Sequence, residues 1–112
     1  MKANPVKLIY GVGYESCTVA EATHVELNIP GPTGTLYIPV QTSGTRSGTG
    51  NWTWNGDTNK PTLRPSVLTQ GSSIRSREPF VCHSWINDGQ VQFLDDCTHD
   101  LRNTTVDLLD VE

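Results

Sequence analysis

Hydrophobic and polar residues alternate along several short runs of the chain, which is the pattern of a strand with one buried face. Every second residue from Val25 to Ile29 is aliphatic, with polar side chains between them. The segment PGPTGT then predicts a turn, and residues 36–40 (LYIPV) return as a second strand. Residues 52–54 (WTW) predict a further extended segment with both tryptophans on one face.

Glycine and proline interrupt the chain every few residues, and signals for helices are poor. Residues 60–69 contain two prolines, so they predict an extended segment at a sheet edge. Residues 43–51 and 71–79 predict loops, and residues 104–111 a closing strand. The sequence therefore predicts one all-β domain over residues 1–112, a sandwich or a small open barrel of short antiparallel strands.

The clearest single element is a hairpin at residues 80–94, which we expect at the centre of the fold. Asp88-Gly89 suits a two-residue turn, because both central residues of a type I′ turn need positive φ. This register pairs Asn87 with Gln90, Ile86 with Val91, Ser84 with Phe93 and Cys82 with Asp95. Alternation then separates two faces. One carries Cys82, Ser84, Ile86, Val91 and Phe93, and the other carries His83, Trp85, Gln92 and Leu94.

Composition limits the class of protein. The 112 residues carry a formal net charge of −4, which argues against general nucleic-acid binding, since neutralising phosphates needs surplus Lys and Arg. No apolar run approaches a membrane span, and the N-terminus has no hydrophobic stretch typical of a secretory signal. We therefore expect a cytosolic protein.

The odd number of cysteines argues against a fully paired disulfide framework, although a Cys82–Cys97 bridge remains possible in an oxidising compartment.

Reactive side chains gather between Val81 and Asp100, and three interpretations compete: a metal site, a nucleophilic active site or an ordinary core hairpin. Zinc prefers thiolate and imidazole donors, and Cys82, Cys97 and His99 with a water would supply them. Their spacing matches no standard zinc finger. We expect no other cofactor.

Nucleophilic catalysis is the second interpretation of this segment. In it, Ser84 attacks, His99 accepts its proton and Asp96 orients the imidazole. His83 is a second candidate base, and Cys82 a second nucleophile. The interpretation requires His99 to fold to within about 3 Å of the nucleophile.

Three motifs resemble a family of small proteins common in phage and prophage genomes. They are WTWNGDTNKPTLRPSVLT, CHSWINDGQVQFLDDCTHDL and TVDL, and the resemblance covers residues 25–108. Some members have been mislabelled as ammonia monooxygenase. Relatives lie near bacterial ubiquitin-like conjugation genes, which implies a peptidase role. The resemblance implies a β-rich fold with a site around residues 82–84 and 96–99. Many relatives carry a Cys-Pro-x-Cys knuckle, but Ile29 and Pro32 stand at its cysteine positions here.

Together, these features predict a small peptidase-like hydrolase that acts on a protein or peptide, encoded by a phage and located in the host cytosol. The alternative is a non-catalytic binding or inhibitory protein directed against host defence and stabilised by zinc. In that case an anionic or aromatic ligand would meet a basic and aromatic segment. Its members are Trp52, Trp54, Arg64, Arg75 and Arg77. The oligomeric state is left open by the sequence.

Overall fold

The structure is a computed structural model of the chain, and it describes residues 1–31, 33–41, 52–72, 79–98 and 100–111. Within these ranges the chain forms ten strands and one short 3-10 helix, Val19–Glu21. No helix in this described part is long and apolar enough to cross a membrane. The strands are β1 (Ala3–Ile9), β2 (Gly13–Ser16), β3 (His24–Ile29), β4 (Gly34–Gln41), β5 (Trp52–Trp54), β6 (Leu63–Arg64), β7 (Val67–Ser72), β8 (Pro79–Asn87), β9 (Gln90–Phe93) and β10 (Thr105–Asp107).

The strands form two sheets that enclose one hydrophobic core. The first sheet has the order β2-β1-β3-β4-β5-β6, and the second has the order β10-β9-β8-β7. All neighbouring strands are antiparallel except β4 and β5, which are parallel. The predicted all-β sandwich is confirmed, and the hairpin formed by β8 and β9 occupies the two central positions of the second sheet.

The core forms because each sheet turns its aliphatic positions inward. On β3, Val25, Leu27 and Ile29 are buried, as the alternation predicts. From the second sheet, Ile86 and Phe93 join the same cluster. Burying side chains of this size contributes about 1.5–3 kcal/mol each, so the inward residues fix which face of each strand meets solvent.

The β8–β9 hairpin has the predicted turn and register. Asp88 and Gly89 have φ of 51° and 78°. Ser84 pairs with Phe93, Ile86 with Val91 and Asn87 with Gln90, as expected. The predicted pair of Cys82 with Asp95 does not form, because β9 ends at Phe93.

Other elements depart from the sequence expectations. The strands β1 and β2 are not among the predicted elements, although β1 buries Ala3 and Val6. The predicted loop at 71–79 is shorter, since its first two residues extend β7 and its last begins β8. Residues 73–78, and the predicted loop at 43–51, lie outside the described residues.

The predicted edge segment at residues 60–69 becomes two strands, β6 and β7. Each is an edge strand, but of a different sheet. Pro65 and Ser66 form the corner at which the chain leaves the first sheet and enters the second. This corner places Ser66 beside the outer face of β8.

Candidate active site

A chain of two hydrogen bonds joins three polar side chains on the outer face of the second sheet. Ser66 Oγ lies 2.8 Å from His83 Nε2. On the other side of the ring, His83 Nδ1 lies 2.9 Å from Asp96 Oδ2. Along the chain, the three residues occur in the order serine, histidine, aspartate, between Ser66 and Asp96.

Strand pairing explains why these residues meet. Leu68 on β7 lies opposite His83 on β8, and the pairing ladder places the start of β7 next to Ser84. Ser66 directly precedes this start, so its hydroxyl reaches the imidazole across the strands. Asp96 follows the end of β9 by three residues, in a turn that brings its carboxylate back over β8.

The main chain of His83 is held by the side chain of Cys97. The N–H of His83 donates to Cys97 Sγ at 3.2 Å, and the Cys97 thiol donates to the His83 carbonyl at 3.1 Å. The Leu94 N–H donates to the same carbonyl at 2.9 Å. Cys97 thus replaces the strand partner that β8 lacks after β9 ends, and this fixes the backbone from which the imidazole projects.

The polar partners determine the proton positions around His83. A carboxylate only accepts hydrogen bonds, so Nδ1 carries a proton that it donates to Asp96. In the neutral ring Nε2 is then the acceptor for the Ser66 hydroxyl, which is the arrangement that allows an imidazole to take a proton from serine. The side chains of His83 and Asp96 are 25% and 54% exposed, so the site is open to solvent and to a substrate.

Two of the four predicted catalytic residues, His83 and Asp96, belong to this chain of hydrogen bonds. The predicted base His99 lies outside the described residues. Ser84 is 1% exposed and faces the core, on the opposite side of β8 from His83. In this geometry Ser84 cannot meet a substrate unless the sheets separate.

Ser66 did not appear among the predicted site residues. It lies within the motif WTWNGDTNKPTLRPSVLT, where two prolines suggested only an extended edge. The available signal was an isolated serine placed just before a strand that could pair with CHSW. Without the pairing of β7 with β8, that serine resembles any other loop residue.

Two of the three predicted zinc ligands, Cys82 and Cys97, lie in the described part of the chain. Cys82 is 2% exposed, and burial raises the pKa of its thiol, which disfavours the thiolate that metals bind. The Cys97 thiol is engaged with the His83 backbone. Among the described residues, no three His, Cys, Asp or Glu side chains are grouped to hold a metal. Because His99 lies outside them, zinc binding stays a prediction.

The three cysteines are free thiols, so the structure contains no Cys82–Cys97 bridge.

Among the tryptophans and arginines predicted to bind a ligand, Trp54 and Arg64 contact other residues of the fold. Trp54 is 6% exposed and belongs to the core. The Arg64 guanidinium lies 5.2 Å from the centre of the Trp85 ring and donates to Asn87 Oδ1 at 2.9 Å. Together with Gln92, these three residues line an open recess of about 300 Å³. Arg75 and Arg77 lie outside the described residues.

The fold and the site define an all-β protein with a Ser–His–Asp hydrogen-bond chain on its surface, an arrangement that recurs in serine hydrolases of unrelated fold. Residues 22–94, more than half of the chain, match the family of the bacterial ubiquitination-like system serine protease (BubE). The chain belongs to this family. Ser66 and His83 lie within the matched range, and Asp96 lies just beyond it. Neither the curated proteins nor the solved structures include a match.

The family links the chain to the ubiquitination-like systems that its sequence motifs suggested. The association with phages stays a prediction.

Proposed function

We propose that this protein is a serine peptidase of a bacterial ubiquitination-like system, with Ser66 as nucleophile, His83 as general base and Asp96 as the orienting acid. The observation that carries the proposal is the hydrogen-bonded order Ser66–His83–Asp96, with distances of 2.8 and 2.9 Å. The family description supports the same class of activity.

The reaction follows from these contacts. Ser66 Oγ attacks the carbonyl carbon of a peptide bond while its proton passes to His83 Nε2. His83 then gives this proton to the leaving amine nitrogen, and an ester remains on Ser66. A water molecule then attacks the ester carbonyl and loses a proton to His83, which passes that proton to the Ser66 oxygen as the ester bond breaks and the acid product leaves. Asp96 accepts from Nδ1 throughout and stabilises the imidazolium as it forms.

The developing oxyanion needs hydrogen-bond donors, and the turn between β8 and β9 does not offer its amides freely. The Asp88 N–H donates to Thr62 Oγ1 at 3.0 Å, and the Gly89 N–H donates to the Pro61 carbonyl at 2.9 Å. Both bonds hold the hairpin against the segment that precedes β6. The turn therefore has a structural role, and the donors for the oxyanion belong elsewhere.

A fluorophosphonate probe tests the nucleophile directly, because it reacts with an activated serine without needing a recognised peptide. We expect stoichiometric labelling of the wild-type protein at Ser66, located by peptide mass spectrometry. The variant Ser66→Ala should not be labelled. The matched control is Ser84→Ala, which removes a hydroxyl from the same region and should be labelled at the wild-type rate. Labelling at Ser84, or undiminished labelling of Ser66→Ala, would refute the assignment.

A further inference from the structure

Among the described strands, the one that follows Ser66 has an open edge. β7 is the last strand of the second sheet, and β8 is its one hydrogen-bonded neighbour among the described strands. An open strand edge offers a row of main-chain donors and acceptors to another extended chain. Natural proteins often protect such edges with charged side chains or prolines, but here the exposed positions carry Leu68 and Gln70.

Hydrogen bonds on β8 show which main-chain groups of β7 are open. The N–H and C=O of His83 point away from β7, to Cys97 and Leu94. In an antiparallel pair, residues alternate between bonded and non-bonded positions, so Leu68, opposite His83, is a non-bonded position. The N–H and C=O of Leu68 and Gln70 therefore face away from the sheet, and no described residue pairs with them.

The same alternation holds at the start of the strand. The Ser66 carbonyl also points away from β8, and it accepts a hydrogen bond from Trp52 Nε1 at 3.3 Å. This indole marks one end of the open edge. The edge thus begins at the proposed nucleophile and runs past Leu68, whose side chain is 51% exposed opposite the imidazole.

We propose that the protein substrate binds as an extended strand along the open edge of β7, adding a fifth strand to the second sheet. The main-chain N–H and C=O of Leu68 and Gln70 would hold it, as in other cases of strand addition. The scissile peptide bond would lie beside Ser66, at the Trp52 end of the edge. Recognition through the main chain requires an unfolded or flexible segment, so a folded protein would be cleaved at an extended tail or linker. This inference rests on the proposed role of Ser66.

The test compares two reactions of the same protein, cleavage of a randomised decapeptide library and labelling by the fluorophosphonate probe. Only the first reaction uses the strand edge. In Leu68→Pro, the outward N–H is lost while the bonds to β8 remain. We expect the ratio of library cleavage to labelling to fall by about tenfold, which corresponds to loss of one hydrogen bond.

Two variants provide controls for this ratio. Leu68→Ala keeps the N–H and should lower the ratio by less than about threefold. Thr105→Pro places the same change on the opposite edge of the sheet. The main-chain groups of Thr104 and Leu108 bond toward β9, so by alternation the N–H of Thr105 points away from the sheet. This variant should therefore keep the wild-type ratio of cleavage to labelling. An unchanged ratio in Leu68→Pro would overturn the proposal.

A second measurement does not depend on the proline variant folding. With Ser66→Ala protein and the library decapeptide that the wild type cleaves fastest, we expect the amides of Leu68 and Gln70 to exchange more slowly with solvent. The amide of Thr105 should not change. Unchanged exchange at Leu68 and Gln70 overturns strand addition, and so does a library from which the wild type cleaves nothing. Absence of fluorophosphonate labelling instead refutes the role of Ser66, so the two failures are distinguishable.

Discussion

The two faces of β8 carry residues that alternate along one short sequence, yet they serve different purposes. On the inner face, Cys82, Ser84 and Ile86 are 2%, 1% and 0% exposed. On the outer face, His83 contacts Ser66 and Asp96. The neighbouring residues Ser84 and His83 could both take part in catalysis, but they lie on opposite faces of the sheet. The face on which a side chain lies therefore decides whether it can meet a substrate.

The two faces also differ in what they contribute to the free energy of unfolding. Inner side chains gain stability by leaving water, and their loss creates cavities. Outer side chains remain partly hydrated, so their hydrogen bonds add little to stability. Substitutions on the inner face should therefore lower the free energy of unfolding. Substitutions on the outer face should instead lower the rate of labelling by the probe.

The largest effect on reactivity is expected from His83→Ala. Ser66 would lose its proton acceptor, and the rate of fluorophosphonate labelling should fall about 10³-fold or more. The midpoint of urea unfolding should move little. The matched inner variant is Ile86→Ala, which should lower the free energy of unfolding by about 3 kcal/mol while its folded fraction is still labelled. If both variants lost stability and reactivity alike, the separation of the two faces would be wrong.

A smaller loss is expected from Asp96→Asn. The amide can donate a hydrogen bond to Nδ1, which favours the tautomer with the proton on Nε2, where it cannot accept from Ser66. Because the carboxylate is 54% exposed, water can partly replace it, and we expect labelling to slow by about 10²-fold. Asp95→Asn removes the adjacent exposed carboxylate and should leave the rate at the wild-type value. Equal rates for the two variants would exclude an orienting role for Asp96.

Cys97→Ala should affect both faces, because this buried thiol holds the main chain of His83. An unpaired backbone N–H costs about 1–3 kcal/mol, so urea unfolding should show a loss of that size. Labelling should slow by about tenfold as the imidazole loses its fixed position. Cys97→Ser retains a donor and an acceptor and should recover part of both. Identical behaviour of the alanine and serine variants would contradict the proposed backbone contact.

The smallest effect concerns the Cys82 thiol, which belongs to the inner face. Its pKa is raised because burial disfavours the thiolate, so less of the reactive form exists at a given pH than in the unfolded chain. Iodoacetamide at pH 8 should therefore modify Cys82 much more slowly in native protein than in urea. Mass spectrometry of digested protein would measure this. Rapid native modification would mean that the inner face opens to solvent.

The sequence predicted the hairpin and its two faces, because Asp-Gly fixes the turn and alternation fixes the rest. It also gave Asp96 as the acid that orients His99, and His83 as a second candidate base. It could not supply Ser66, which meets His83 from a position 17 residues away through pairing between β7 and β8. The sequence prediction paired Ser84 with His99, and the predicted register placed Ser84 on the face opposite His83.

The location of the site on an outer face has an evolutionary consequence. Ser66 and His83 are half-buried and Asp96 is exposed, so the hydrophobic core is built without these three side chains. A single substitution at Ser66 would remove the nucleophile and leave the sandwich intact. Selection can therefore switch off or restore the chemistry in descendants of this protein without rebuilding the scaffold. A descendant that kept the open strand edge but lost the serine would still hold extended chains, as a binding protein rather than an enzyme.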